Sequence, residues 1–169
     1  MQVDPQQLLD DGYIILPQVI PPDQLDELRH SFEILVERQK IIWAQQRKPG
    51  EPPGGYWEMS ALPRLKLGHN PLADLIDVRT SGAVRIWLHE NTRGVSSELL
   101  GVDDAAVTEM FLLCNPVRDR GPAAWHRDLH PMDTAPLQGY IDDIVETGPR
   151  YVQWNICLYD DDVLWVVPG

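Results

Sequence analysis

The chain has 169 residues, with 14 basic and 26 acidic side chains and a formal net charge of −12, and this length predicts a single domain over residues 1–169. A surface of that sign repels phosphate backbones, so we do not expect nucleic-acid binding. The sequence contains no apolar run that is long enough to cross a bilayer and no secretory signal, so we expect no membrane span and a cytoplasmic location.

The N-terminal half is dominated by helical patterns. An apolar run at 13–16, after the turn signal Asp11-Gly12, predicts a short strand. A helix is then predicted from Pro21-Pro22 to just before Pro49-Gly50, because apolar residues recur at three-and-four spacing between them. Further helices are predicted from Asn70-Pro71, around residues 84–88 and up to Gly101.

The C-terminal half changes to the patterns of strands. Strands are predicted at 107–115, 125–130, 151–159 and 163–167, the third with strict alternation of side chains. Helices followed by strands predict an α+β fold, with the helices packed on a mostly antiparallel sheet. The two cysteines, Cys114 and Cys157, are expected to be reduced thiols, since two cysteines do not make a disulfide framework.

One short motif carries chemical content. It reads Trp125-His126-Arg127-Asp128-Leu129-His130-Pro131, and residues two apart in a strand lie on the same face, roughly 6.6 Å apart. The side chains of His126 and Asp128 are therefore expected to converge on one metal ion. With a second histidine from another strand they would form the two-histidine, one-carboxylate triad of Fe(II) oxygenases, which leaves coordination positions open. The His-x-Asp pattern alone has low specificity.

This segment resembles the metal-binding segment of the phytanoyl-CoA dioxygenase family. Five other stretches resemble the same family in the expected order, and together the matches span nearly the whole chain. They are the entry Asp11-Gly12-Tyr13, the stretch Leu99-Leu100-Gly101 before a predicted strand, the run Val152-Gln153-Trp154-Asn155, the acidic turn Asp160-Asp161-Asp162, and the run Leu164-Trp165-Val166-Val167-Pro168-Gly169.

The resemblance implies a double-stranded β-helix core, jelly-roll or cupin-like, with the N-terminal helices packed on the sheet. It implies that His126 and Asp128 bind Fe(II), and that 2-oxoglutarate and O2 are converted to succinate and CO2 while an aliphatic C–H bond of a small molecule is hydroxylated. In the family, the second ligand histidine and the arginine that holds 2-oxoglutarate come after the position that corresponds to Gly169 of this chain. We therefore expect a chain truncated before its last strands, with an incomplete core.

Other side chains are candidates for the surroundings of the metal. Gln153 and Asn155 alternate with Trp154 and Ile156, so one of the two sets faces the interior; if it is the polar set, both can bind 2-oxoglutarate, and otherwise they are surface residues. Trp125 and His130 are candidates for the substrate pocket.

Two other functions are compatible with the same residues. A zinc hydrolase would use His126, Asp128 and His130 with a metal-bound water. The second alternative is that the chain is an inactive, non-catalytic fragment of an oxygenase. His30, His69 and His89 are not expected to be ligands, because His30 is predicted on a helix surface and the other two near helix ends.

Overall fold

The computed structural model describes residues 1–67, 76–128 and 136–169 of the chain. These residues form six α-helices, one 3-10 turn and one two-stranded sheet. The helices are α1 (Pro5–Asp11), α2 (Pro22–Gln45), α3 (Tyr56–Met59), α4 (Gly82–Arg85), α5 (Glu90–Leu100) and α6 (Leu137–Thr147). The strands are β1 (Arg64–Leu67) and β2 (Met110–Leu113), and the 3-10 turn is Ile86–Leu88.

The chain divides into two compact units. The first unit consists of Met1–Pro21, Leu88–Ala106 and Trp125–Gly169, and the second of Pro22–Trp87 and Val107–Ala124. Each unit has buried apolar side chains, which are Val19, Ile20 and Val95 in the first and Leu28, Phe32, Leu35, Leu65, Ala83 and Ile86 in the second. No helix within the described residues has the length and apolarity needed to traverse a bilayer.

Helix α2 is the main element of the second unit. It begins at Pro22, where a proline costs no hydrogen bond, and has Asp23 in its first turn. Its buried face follows the predicted spacing and contains Leu28, Phe32 and Leu35. The predicted long helix is thus confirmed, and it packs against α3 and α4.

Strands β1 and β2 form an antiparallel pair in the second unit. The register aligns Arg64 with Leu113 and Leu67 with Met110. The Cys114 N–H donates to the Pro63 carbonyl oxygen at 2.9 Å, which extends the pairing beyond the strands. Strand β2 lies inside the predicted 107–115 strand, whereas β1 was not predicted.

Helix α5 in the first unit has well-defined caps at both ends. The imidazole Nδ1 of His89 accepts a hydrogen bond from the Asn91 N–H at 3.1 Å. Gly101, at φ 63°, ends the helix, and the Val102 N–H donates to the Ser97 carbonyl oxygen at 3.0 Å. The predicted end at Gly101 and the capping position of His89 are confirmed. The helix predicted from Asn70-Pro71 lies outside the described residues.

Several predicted strands do not form. Residues 13–16, 125–128, 151–159 and 163–167 have no strand pairing, and four of the five side chains at 163–167 are more than 60% exposed. Helices α1 and α6 were not predicted at all. An apolar run favours extended backbone, but a strand also needs a partner that supplies its hydrogen bonds. The jelly-roll core stays a prediction, because the described residues contain only the β1–β2 pair.

Candidate metal centre

His126 and Asp128 lie close together in the first unit, on an exposed segment without regular secondary structure. The imidazole Nε2 is 3.3 Å from the carboxylate Oδ1, and the two side chains are 68% and 55% exposed. Two donors about 2.1 Å from one metal ion and at right angles to each other are about 3.0 Å apart. The observed separation is therefore close to the one that adjacent ligands of a single cation have.

Asp128 is held from a second segment of the same unit. The Gln153 Nε2 donates to the carboxylate Oδ2 at 3.0 Å, and the Tyr151 hydroxyl donates to the Asp128 carbonyl oxygen. The two carboxylate oxygens thus have different neighbours, since Oδ1 faces His126 and Oδ2 accepts from Gln153. This fixes the orientation of the carboxylate relative to the imidazole.

The segment 151–159, which contributes Tyr151 and Gln153 to Asp128, has a simple alternation of side chains. Its even-numbered residues are half-buried and its odd-numbered residues are exposed, which is the period of an extended chain. On the half-buried side, the Trp154 Nε1–H donates to Ser96 Oγ on α5 at 2.9 Å. Trp154 therefore anchors the apolar face on α5, and the opposite face carries Tyr151, Gln153 and Asn155.

Near His126 and Asp128, Tyr151 is the described residue whose pKa departs from its usual value. Partial burial raises the pKa of its hydroxyl, and the nearby Tyr140 and Asp128 act in the same direction. The hydroxyl therefore keeps its proton at neutral pH, as its role as a donor to the Asp128 carbonyl oxygen requires.

The remaining predicted residues have different positions. Asn155 is exposed on the same face as Gln153, and Trp125 is 71% exposed beside His126. His69 and His130 lie outside the described residues. His30 is exposed on α2, as predicted.

Among the described residues, no third histidine, cysteine or carboxylate joins His126 and Asp128. The described donor set is therefore one imidazole nitrogen and one carboxylate oxygen. This pair suits Fe(II) or Zn(II), and either ion would need a further ligand from elsewhere. The sequence analysis did not identify Tyr151 as a site residue, although it lies two residues before Gln153 and therefore on the same face of the extended segment.

No family model, curated protein or solved structure matches the chain.

Proposed function

We propose that the protein is an Fe(II)- and 2-oxoglutarate-dependent dioxygenase that hydroxylates an aliphatic C–H bond of a small molecule. The observation that carries the proposal is the 3.3 Å separation of His126 Nε2 and Asp128 Oδ1. An imidazole and a carboxylate from a His-x-Asp segment are two of the three ligands of such an iron site. The resemblance of the surrounding segment to the phytanoyl-CoA dioxygenase family supports the same assignment.

The proposal gives the neighbouring side chains distinct roles. Gln153 and Tyr151 are positioning residues, because they hold Asp128 and leave Oδ1 directed toward His126. Asn155 lies on the same exposed face and is proposed to contact 2-oxoglutarate. Trp125, which is exposed, and His130 are proposed to contact the substrate. Iron and 2-oxoglutarate, when bound, would activate O2 as the oxidant, and these residues would orient the reactants.

The first test measures turnover and metal binding. The intact chain is titrated with Fe(II) under anaerobic conditions, and succinate formed from 2-oxoglutarate after admission of O2 is measured by NMR. We expect the wild type to bind Fe(II) weakly and to form succinate slowly, because His126 and Asp128 supply two of the three ligands. Both quantities should be lost in His126→Ala and Asp128→Asn. Matched controls are His30→Ala and Asp162→Asn, which remove the same groups at exposed positions and should change neither quantity.

Two further variants separate positioning from co-substrate binding. Gln153→Ala should weaken Fe(II) binding by about tenfold, because the orientation of the carboxylate is lost. Asn155→Ala should leave Fe(II) binding intact and raise the KM for 2-oxoglutarate. Equal effects of both variants on Fe(II) affinity would contradict these separate roles.

Other outcomes would assign a different function. Tight metal binding without any succinate would indicate a non-catalytic protein. Zinc-dependent ester hydrolysis that needs no 2-oxoglutarate, and that is lost in His126→Ala, would indicate a hydrolase. Either result would overturn the proposed dioxygenase activity.

A further inference from the structure

A cleft of about 420 Å³ lies in the second unit, between the C-terminal end of α2, the loop that follows it, α3 and β1. This volume is at the lower end of the range of small-molecule sites, and the cleft is largely open to solvent. Its lining includes two aromatic side chains and four charged ones, which are Trp43, Tyr56, Arg47, Lys48, Glu51 and Arg64. None of them takes part in the proposed metal centre.

The aromatic wall of the cleft is part of a packed cluster. The rings of Trp43 and Tyr56 are tilted at 55° with centroids 5.2 Å apart, and Trp43 stacks on Trp57 at 14° and 6.2 Å. Lys40 Nζ lies 4.3 Å from the centroid of the Trp57 ring. These contacts hold the wall in place, while Tyr56 keeps 41% of its surface exposed. A planar ligand ring can therefore stack on it without rearrangement.

A glycine allows this wall to form. Gly55 has φ 56°, and a Cβ at that position would lie 2.4 Å from the Trp43 carbonyl oxygen and 3.3 Å from Arg47 Cβ. The loop thus approaches α2 closely enough to bring Tyr56 against Trp43. Arg47, whose Cβ lies beside Gly55, also lines the cleft.

The charges around the cleft sum to a positive value. Arg47, Lys48 and Arg64 contribute three positive charges and Glu51 one negative charge, and the C-terminal end of α2 adds about half a negative charge. Within the described residues, neither Arg47 nor Lys48 has a carboxylate within ion-pair distance. The Glu51 carboxylate accepts from the Lys48 backbone N–H at 2.8 Å. In a chain with a net charge of −12, the remaining local excess of cations favours an anionic ligand.

We propose that this cleft binds a small aromatic carboxylate. The ring of the ligand stacks on Tyr56 beside Trp43, and its carboxylate is bound by Arg47, Lys48 and Arg64. Charge-assisted hydrogen bonds from guanidinium groups suit both carboxylates and phosphates. A ligand with several negative charges is disfavoured, because the whole chain is strongly acidic.

The proposal is tested by calorimetric titration of the intact chain with 2-naphthoate and with its neutral counterpart 2-naphthamide. We expect saturable binding of naphthoate at one site, at least tenfold tighter than binding of naphthamide. Arg47→Gln and Arg64→Gln should each weaken naphthoate binding by about fivefold, which corresponds to the upper size of one solvent-exposed ion pair. Tyr56→Leu should weaken the binding of both ligands.

Two controls make the test specific. Arg118→Gln removes one charge at an exposed position of the same unit that does not line the cleft, and it should leave naphthoate affinity unchanged. His126→Ala should also leave naphthoate affinity unchanged, because His126 does not line the cleft. The cleft proposal and the proposed dioxygenase activity are therefore tested independently of each other. Equal affinity for naphthoate and naphthamide, absence of saturable binding, or an equal loss in Arg118→Gln would overturn the proposal.

Discussion

At the scale of single residues, Asp77 shows how a surface charge pair sets pH dependence. Its carboxylate accepts a hydrogen bond from Arg38 Nη2 at 2.7 Å, and the Arg79 N–H donates to its other oxygen at 2.9 Å. The Arg38 guanidinium lowers the pKa of the Asp77 carboxyl below its usual value, although desolvation acts in the opposite direction. The charged form of Asp77 is therefore favoured by folding.

This gives a prediction with a defined sign. Because the folded-state pKa of Asp77 is below the unfolded value, the pair stabilises the fold above the unfolded pKa, and the contribution is lost as the pH falls through the folded pKa. Asp77→Asn keeps an acceptor oxygen for the Arg79 N–H and removes the charge. We expect its urea midpoint to be slightly below that of the wild type at neutral pH, and the two midpoints to converge in acid.

A double-mutant cycle supplies the control for this prediction. Arg38→Gln should lower the urea midpoint with the same pH dependence, and the double variant should lose little more than either single variant. A constant difference between wild type and Asp77→Asn at every pH would contradict the assignment to charge.

Single residues of the candidate metal centre differ in how well the sequence predicts their contacts. The nearness of His126 and Asp128 follows from their two-residue spacing. The hydrogen bond from Gln153 to Asp128 joins positions 25 residues apart, and local spacing carries no information about such a pairing. The sequence left open whether the odd- or the even-numbered residues of 151–159 face the interior. The hydrogen bond from Trp154 to Ser96 shows that the even-numbered side faces α5.

At the scale of elements, two glycines are expected to respond oppositely to alanine. Gly94 lies within α5, and a Cβ there would meet nothing within 4 Å, so Gly94→Ala should stabilise the protein by about 0.5–1 kcal/mol. At Gly55, with φ 56°, a Cβ would lie 2.4 Å from the Trp43 carbonyl oxygen. Gly55→Ala should therefore destabilise the protein by more than about 1 kcal/mol.

Thermal and urea unfolding of the two glycine variants measure both effects. Gly94→Ala also serves as the control for Gly55→Ala, because both add one methyl group. Stabilisation by both substitutions would show that the approach of the Gly55 loop to α2 is not required.

Helices were predicted better than strands, and the reason is physical. The start of α2 and the end of α5 depend on residues within one turn, such as Pro22 and Gly101. Helix α1 carried equally local signals in its Asp4 cap and the following Gly12, and α6 has apolar residues at the helical spacing. Strands depend on partners far away in the chain, and β1 pairs with β2 across more than forty positions.

At the scale of the whole molecule, the acidic charge of the chain opposes the self-association that its exposed apolar side chains favour. The net charge of −12 keeps copies of the chain apart. A jelly-roll core, which stays a prediction for this chain, would depend on many long-range strand pairings, and no local pattern specifies these. The division into two units likewise has no marker in composition or in a linker sequence.

The exposed run at 163–167 has a consequence for behaviour in solution. Its side chains are all apolar, and Val163, Leu164, Trp165 and Val167 are at least 63% exposed. Such uncharged, β-prone stretches promote self-association, which added salt should increase because it screens the acidic repulsion. Sedimentation velocity should show larger species at high salt for the wild type and fewer for Val163→Lys.

The matched variant is Val145→Lys, since Val145 on α6 is 64% exposed and Val163 is 66% exposed. Both substitutions change the charge equally, so an equal decrease in both would attribute the effect to charge alone. If only Val163→Lys stays monodisperse at high salt, the shelf life and workable concentration of the purified protein depend on this one stretch of five side chains.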